Sequence, residues 1–298
     1  MGLIESLFIY GGDLMNINWY PGHMKKTRET IAKSLSLVDI VFELIDARIP
    51  YSSRNPVIDD IVKNKPRILI LNKMDLADPK FNKIWKDHFQ EQNITTILFN
   101  SLDKKNIRTL IDTANSMVEK NRQTYKQKGI INKPVRAMIL GIPNVGKSTL
   151  INNLSGRKGA RTGNVPGVTR GNQWIKTRSN MELLDTPGIL WPKFEDKDVG
   201  LSLAFIGSIK DDLLDMETLA LRLIERLMIK EDKKLEERYK ISVSNKTALQ
   251  VMEDIALKRG CIIRGGEIDY TKVSNIILDE FRKGTIGRIT LEFPETGE

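Results

Sequence analysis

Gly141-Ile142-Pro143-Asn144-Val145-Gly146-Lys147-Ser148-Thr149 is the stretch whose reading decides the fold. It fits GxxxxGK[ST], a glycine-rich turn between a strand and a helix whose backbone amides and lysine cradle phosphates. The flanks agree: residues 134–140 read as an apolar strand and residues 148–154 as the start of a helix. That context separates the motif from a chance glycine turn. Asn144, Val145, Gly146, Lys147, Ser148 and Thr149 are therefore expected around nucleotide phosphates. Lys147 answers their charge, and Ser148 offers a hydroxyl to Mg²⁺.

Downstream, Asp185-Thr186-Pro187-Gly188 supplies an Asp for the Mg²⁺ shell and, at Gly188, an amide that can meet a γ-phosphate. Between the two motifs, residues 163–172 are Gly-rich and helix-poor, as suits a switch loop. Thr169 is the expected Mg²⁺ ligand and catalytic-loop residue there, with Thr162 as the competitor. Upstream stands Asn72-Lys73-Met74-Asp75, delivered by the apolar run 67–71 to the carboxyl end of a buried strand, where open α/β sheets bind ligands. Asp75 can accept two hydrogen bonds from the N1–H and the exocyclic amine of guanine. Adenine has no donor at either place, so such a site rejects ATP by leaving polar groups unpaired. Asn72 can bond the other base edge, the Lys73 stem can lie over the ring, and Met74 belongs to the same loop. Asn100-Ser101, ending a strand at 94–99, marks a second base-contacting loop. A guanine reader ordinarily follows the P-loop; here it precedes it, which is a circular permutation.

At 298 residues the chain is long enough for one α/β domain and a smaller one. With 40% hydrophobic and 29% charged residues it reads as a soluble globular protein, and no apolar run approaches a membrane span. One cysteine, Cys261, rules out an internal disulfide and fits a reducing cytosol. With that cysteine and two histidines, His23 and His88, a structural zinc site is implausible, so the metal expected is the nucleotide's own Mg²⁺. Net charge is +9, and its distribution says more: residues 101–181 carry sixteen Lys/Arg against three Asp/Glu. That excess points to a polyanion beyond the nucleotide, most simply RNA. The plainer reading is a solvated surface.

The expected fold is α/β: a circularly permuted P-loop GTPase domain, a mostly parallel sheet flanked by helices, at 15–192, followed by a smaller all-helical domain at 193–298. Residues 1–14 look unlike the rest. Met15 reads as a second start, and Gly11-Gly12-Asp13 can be encoded by a ribosome-binding sequence, so 1–14 are expected to be either a non-native leader or a disordered one. A basic helix is expected from 23 to 37, a buried strand at 38–46, and a helix opened by Asn55-Pro56. A helix near 80–92, a polar surface connection at 120–133, and strands at 173–177 and 181–184 follow. In the helical part, 215–228 has Asp215 as N-cap, while Gly260 and Gly284 close two later helices.

The chain resembles the circularly permuted YlqF-type GTPases, the ribosome biogenesis GTPase A family. The likeness rests on Trp19-Tyr20-Pro21-Gly22-His23-Met24, Asp46-Ala47-Arg48-Ile49-Pro50, Ser53-Arg54-Asn55-Pro56, the two nucleotide motifs, 185–193, Arg259-Gly260-Cys261 and Gly265-Gly266. The resemblance implies a cytoplasmic bacterial GTPase that binds GTP/GDP and acts late in assembly of the large ribosomal subunit. Its partners would be the large-subunit precursor and ribosomal RNA, bound with help from the helical domain, and no DNA is expected. It further implies stimulation by the pre-ribosomal particle and by K⁺, with Asn144 coordinating the monovalent cation.

Chemistry poses one open question. Many GTPases place Gln after the glycine of the third motif to orient water; here Ile189 stands there and cannot hydrogen-bond. His23 is the internal candidate, since imidazole donates or accepts near neutral pH, and the resemblance assigns the same histidine a catalytic role. The competing reading makes it a cap or hinge of the following helix. His88 reads as structural. Arg48 and Arg54 either contact RNA or anchor the loop before helix 56–64; Trp19, Tyr20 and Trp191 either stack on bases or pack. An alternative to the GTPase is a nucleotide-gated RNA-binding protein with negligible hydrolysis. No second catalytic constellation supports an RNA-modifying or metabolic enzyme.

Overall fold

The computed structural model describes residues 22–62, 65–101, 103, 105–127, 133–156, 173–186, 188, 190 and 196–294. Thr162, Thr169, Ile189, Trp19, Tyr20, Trp191 and the leader at 1–14 lie outside the described residues, as does the expected boundary between 192 and 193. His23 falls in the first turn of a described helix, but its side chain is outside what is described.

Among the described residues six strands form one sheet: β1 (Ile40–Asp46), β2 (Arg67–Asn72), β3 (Thr95–Leu98), β4 (Val135–Gly141), β5 (Gln173–Lys176) and β6 (Met181–Asp185), in the order β3-β2-β1-β4-β6-β5. All neighbours run parallel except β5 against β6. β1 is buried along its whole length, as a parallel strand covered on both faces must be, and its residues are apolar except Glu43 and Asp46. From β1 the chain winds outward through β2 and β3, then returns to β4 beside β1 and winds the other way. The β1/β4 junction is thus a topological switch point, the place where open α/β sheets hold ligands.

One face is covered by α1 (Gly22–Leu35), α2 (Pro56–Val62) and α3 (Pro79–Glu91). Ile31, Leu35, Ile58 and Val62 pack on Val41, Met138 and Leu140, while Trp85 and Phe89 pack on Ile45 and Leu71. Pro56 is the first residue of α2, as its missing N–H permits. The other face receives α4 (Lys105–Gln127) and α5 (Lys147–Ser155). The expected surface connection at 120–133 is corrected in part: α4 continues to Gln127, because a polar helix end is stable once its earlier turns bury Leu110, Ala114 and Val118.

Beyond the sheet come α6 (Lys197–Phe205), α7 (Met216–Lys230), α8 (Asp232–Tyr239), α9 (Ala248–Arg259) and α10 (Tyr270–Lys283). Asp215 caps α7 through the amides of Glu217 and Thr218, and Gly260 and Gly284 end α9 and α10 in the left-handed conformation. One continuous buried cluster runs from Phe42, Ile139 and Val145 through Leu190 and Phe205 to Leu223, Ile255 and Phe281. The two parts share a core. After α10 an extended segment, 286–293, turns back onto the sheet domain, an arrangement the sequence reading did not anticipate.

Candidate nucleotide site

The site is assembled where four parallel strands end side by side. Register pairs Asp46 with Asn72, Leu44 with Gly141, and Ile139 with Asp185, so β2, β1, β4 and β6 deliver Asn72, Asp46, the P-loop and Asp185 in a row.

The P-loop has the backbone its glycines allow. Asn144 and Gly146 hold φ 58° and 104°, the left-handed positions from which anion nests are built. A side chain at Gly141 would stand 2.5 Å from the Leu44 carbonyl, and one at Gly146 would collide with the Asn72 amide. Lys147 is buried and donates to the carbonyls of Gly141 at 3.0 Å and Ile142 at 2.7 Å. Burial pushes its ammonium down to about 8, against the pull of Asp185. Two carbonyls are neutral partners for a buried cation, and a nucleotide phosphate is the anion that fits between this lysine and the loop amides. Ser148 and Thr149 follow, half-buried, at the start of α5.

Asp185 closes the other side of the loop, buried at the end of β6, while Thr186 Oγ1 donates to the Ile139 carbonyl at 2.6 Å. Gly188 lies against the P-loop: a side chain there would come 2.8 Å from the Pro143 nitrogen. Ser148 and Asp185 each carry a side-chain oxygen of the kind Mg²⁺ takes.

Asn72 holds the three loops together. Its Nδ2 donates to the Val145 carbonyl at 2.7 Å, and its Oδ1 accepts from the Ser101 amide at 3.1 Å and hydroxyl at 2.8 Å. The loop at 72–75, the P-loop and the Asn100-Ser101 loop are therefore one hydrogen-bonded unit. Asn153 of α5 adds a bond to the Ser101 carbonyl. Lys73 adopts φ 59°, the Met74 amide donates to the Phe99 carbonyl at 3.2 Å, and Asp75 stands half-buried beside them.

Sequence reasoning missed a member of this row. Asp46, fully buried, accepts from Arg48 at 2.9 and 2.8 Å and pairs with the Lys73 ammonium at 3.0 Å. Burial alone would raise the Asp46 carboxyl, but Arg48 and Lys73 outweigh it and hold it far below the usual carboxylate range. A signal was available: a carboxylate and a guanidinium two residues apart, at the exit of a buried strand, must find each other or pay for burial.

Arg48 is 1% exposed, which excludes RNA contact and leaves the anchoring role. Arg54 likewise anchors, donating to Asp59 at 2.7 Å and standing 3.8 Å from Glu43. His88 lies in α3 with its ring edge-on to Trp85 and Phe89. Asn144 donates through Nδ2 to the Gly207 carbonyl at 2.6 Å.

A family model described as "50S ribosome-binding GTPase" matches residues 136–253, beginning at the P-loop strand. Ribosome biogenesis GTPase A of Bacillus pumilus is 45% identical over 282 residues, covering 95% of this chain and all of that one. The protein of the same name from Thermotoga maritima is 31% identical over 280 residues, covering 94% and 95% of the two chains. Mitochondrial ribosome-associated GTPase 1 of Bos taurus is 32% identical over 308 residues, covering 97% and 91%. Among solved structures, GNP-bound YlqF from T. maritima superposes with TM-score 0.63 at 27% identity, covering 91% of this chain and 99% of that one. A GDP-bound YlqF gives 0.61 over 89% and 99%. The chain is a GTPase with a circularly permuted P-loop domain and belongs to the ribosome biogenesis GTPase A family.

Proposed function

We propose that this GTPase reads guanine through Asp75, binds GTP/GDP with Mg²⁺ at the P-loop, and uses its nucleotide state to time contact with a precursor of the large ribosomal subunit. The observation that carries the reading is Asn72, whose one side chain bonds the P-loop and the Ser101 loop from within the base-reading loop. One side chain thereby ties the base-reading loop to the phosphate loop.

In this reading the amides of 144–149 and the Lys147 ammonium orient the phosphates and offset their charge. Ser148, Thr169 and Asp185 would hold Mg²⁺, which supplies Lewis-acid neutralisation of phosphate charge when bound. Gly188 offers its amide to the γ-phosphate, and Asn100 and Ser101 complete the base pocket with Asn72, Lys73, Met74 and Asp75. With Ile189 unable to orient water, that task goes to His23 or to the partner, and the Asn144 amide oxygen serves K⁺. The domain boundary lies at 192/193, the helical part at 193–298 supplies ribosomal RNA contacts, and the protein works in the cytoplasm. Relatives named for ribosome biogenesis support the partner class. Among the described residues no helix is long and apolar enough to cross a membrane.

Turnover of GTP with and without purified large-subunit precursors tests this directly. Stimulation by the particle, abolished in Lys147→Ala and Ser148→Ala, is expected. Normal turnover by either variant, or indifference to the particle, would contradict it.

A further inference from the structure

The base-reading loop is gripped from outside the nucleotide domain. Arg288 Nε donates to the Asp75 carbonyl at 3.0 Å, the Ile289 amide to the Leu76 carbonyl at 2.9 Å, and the Asp78 amide to Thr290 Oγ1 at 3.1 Å. Farther along the same segment, the Leu291 amide donates to the Arg48 carbonyl at 2.8 Å, and Trp85 Nε1 to the Glu292 carbonyl at 3.0 Å. The Glu292 carboxylate accepts from the amides of Tyr51 at 2.8 Å and Ser52 at 3.0 Å.

A second route reaches the same loop through the interior. Arg48 Nη1 donates to the carbonyls of Phe281 and Arg282, each at 3.2 Å, in the last turn of α10. Those carbonyls lack full helical partners and carry the negative end of the helix dipole, so a guanidinium there is doubly favoured. The same Arg48 grips Asp46, and Asp46 holds the Lys73 ammonium. Lys73 sits at φ 59°, a conformation a lysine does not choose unaided. What keeps it there is the surrounding contacts, and several of those lead to the helical domain.

We propose that Asp46, Arg48 and Arg288 are positioning residues for guanine recognition: through them the helical domain fixes the base-reading loop and sets how sharply Asp75 discriminates. This rests on the reading of Asp75 as the guanine acceptor. Two hydrogen bonds to a base demand placement within a few tenths of an ångström, which a loop strained at Lys73 attains only when braced. By linkage, whatever bracing the helical domain gives to guanine binding, guanine returns to the docking of segment 286–293.

The test uses the full-length protein and three probes: GDP, inosine diphosphate, which lacks the exocyclic amine, and pyrophosphate, which reports the P-loop alone. In Arg288→Ala, an exposed site whose loss should leave folding intact, and in the isosteric Asp46→Asn, GDP affinity should fall about tenfold and the preference for GDP over inosine diphosphate about threefold or more. Pyrophosphate affinity should hold, and Arg288→Lys should recover part of the preference. GDP, more than inosine diphosphate, should slow hydrogen exchange of the Ile289 and Leu291 amides in the parent. If both variants keep the parent's preference, or if all three probes weaken alike, the inference is overturned. Asp75→Asn separates the two levels. Should it keep the preference, the base-reading assignment falls and this inference with it; should it erase the preference while Asp46→Asn and Arg288→Ala do not, only the inference falls.

Discussion

Lys147 and Asn72 show how single residues carry this site. Lys147 is an ammonium buried against two carbonyls, its pKa pushed down to about 8 by burial. A phosphate would restore its charge and raise that pKa, so binding takes up a proton wherever the free protein has lost it. At pH 8.5, calorimetry of GDP binding in buffers of different ionisation enthalpy should show net proton uptake, with affinity falling as pH rises above 8. Binding without proton exchange would mean the lysine is already charged. Asn72 makes a different prediction. Because it ties loops together, Asn72→Ala should weaken GDP and pyrophosphate alike, by on the order of 1–3 kcal/mol for the buried bonds lost. Loss confined to GDP would make it a base contact only. That the peptides 72–75, 141–149 and 185–188 leave the ends of strands was legible in the sequence, because each is contiguous and follows its own apolar run. Asn72's use of both ends of its amide, and the Asp46 link to Lys73, were not, since they depend on which strands lie adjacent.

At the scale of elements, local signals sufficed wherever a cap or a period set the boundary. Asp215 accepts from the amides of Glu217 at 3.1 Å and Thr218 at 3.2 Å, as its place before an apolar face predicts. Asp215→Ala should cost about 1 kcal/mol and lower the melting temperature by a few degrees without changing GDP affinity per folded molecule. A drop in that affinity would show that α7 communicates with the site. The reading was poorer where an element owes its existence to its neighbours. The final turns of α4 are polar and gain order from the buried turns before them. Segment 286–293 has no partner strand in sequence, and its Ile289 and Leu291 amides are met by the Leu76 and Arg48 carbonyls, far away along the chain.

For the whole molecule, strand order explains why motifs in an unusual sequence still converge. With β1 between β2 and β4, the base loop and the P-loop stand two strands apart, whichever comes first along the chain. The continuous core through Leu190 and Phe205 joins the helical part to that sheet, which motif reading alone could not reveal. Partner binding belongs to this scale. If the basic excess of residues 101–181 meets RNA, affinity for large-subunit precursors should fall steeply with salt, a log–log slope of several, as counterions are released. A flat salt response would assign that charge to a solvated surface.

The claim on which all of this rests is that a loop lying before the P-loop reads the base. Competition binding of GDP and xanthosine diphosphate to the parent and to Asp75→Asn tests it most directly. Xanthine carries a carbonyl where guanine carries its exocyclic amine and keeps the N1–H, so an Asn amide complements it as a carboxylate complements guanine. The account predicts that the parent prefers GDP and that Asp75→Asn reverses the preference in favour of xanthosine diphosphate. An unchanged preference for GDP in Asp75→Asn would contradict it.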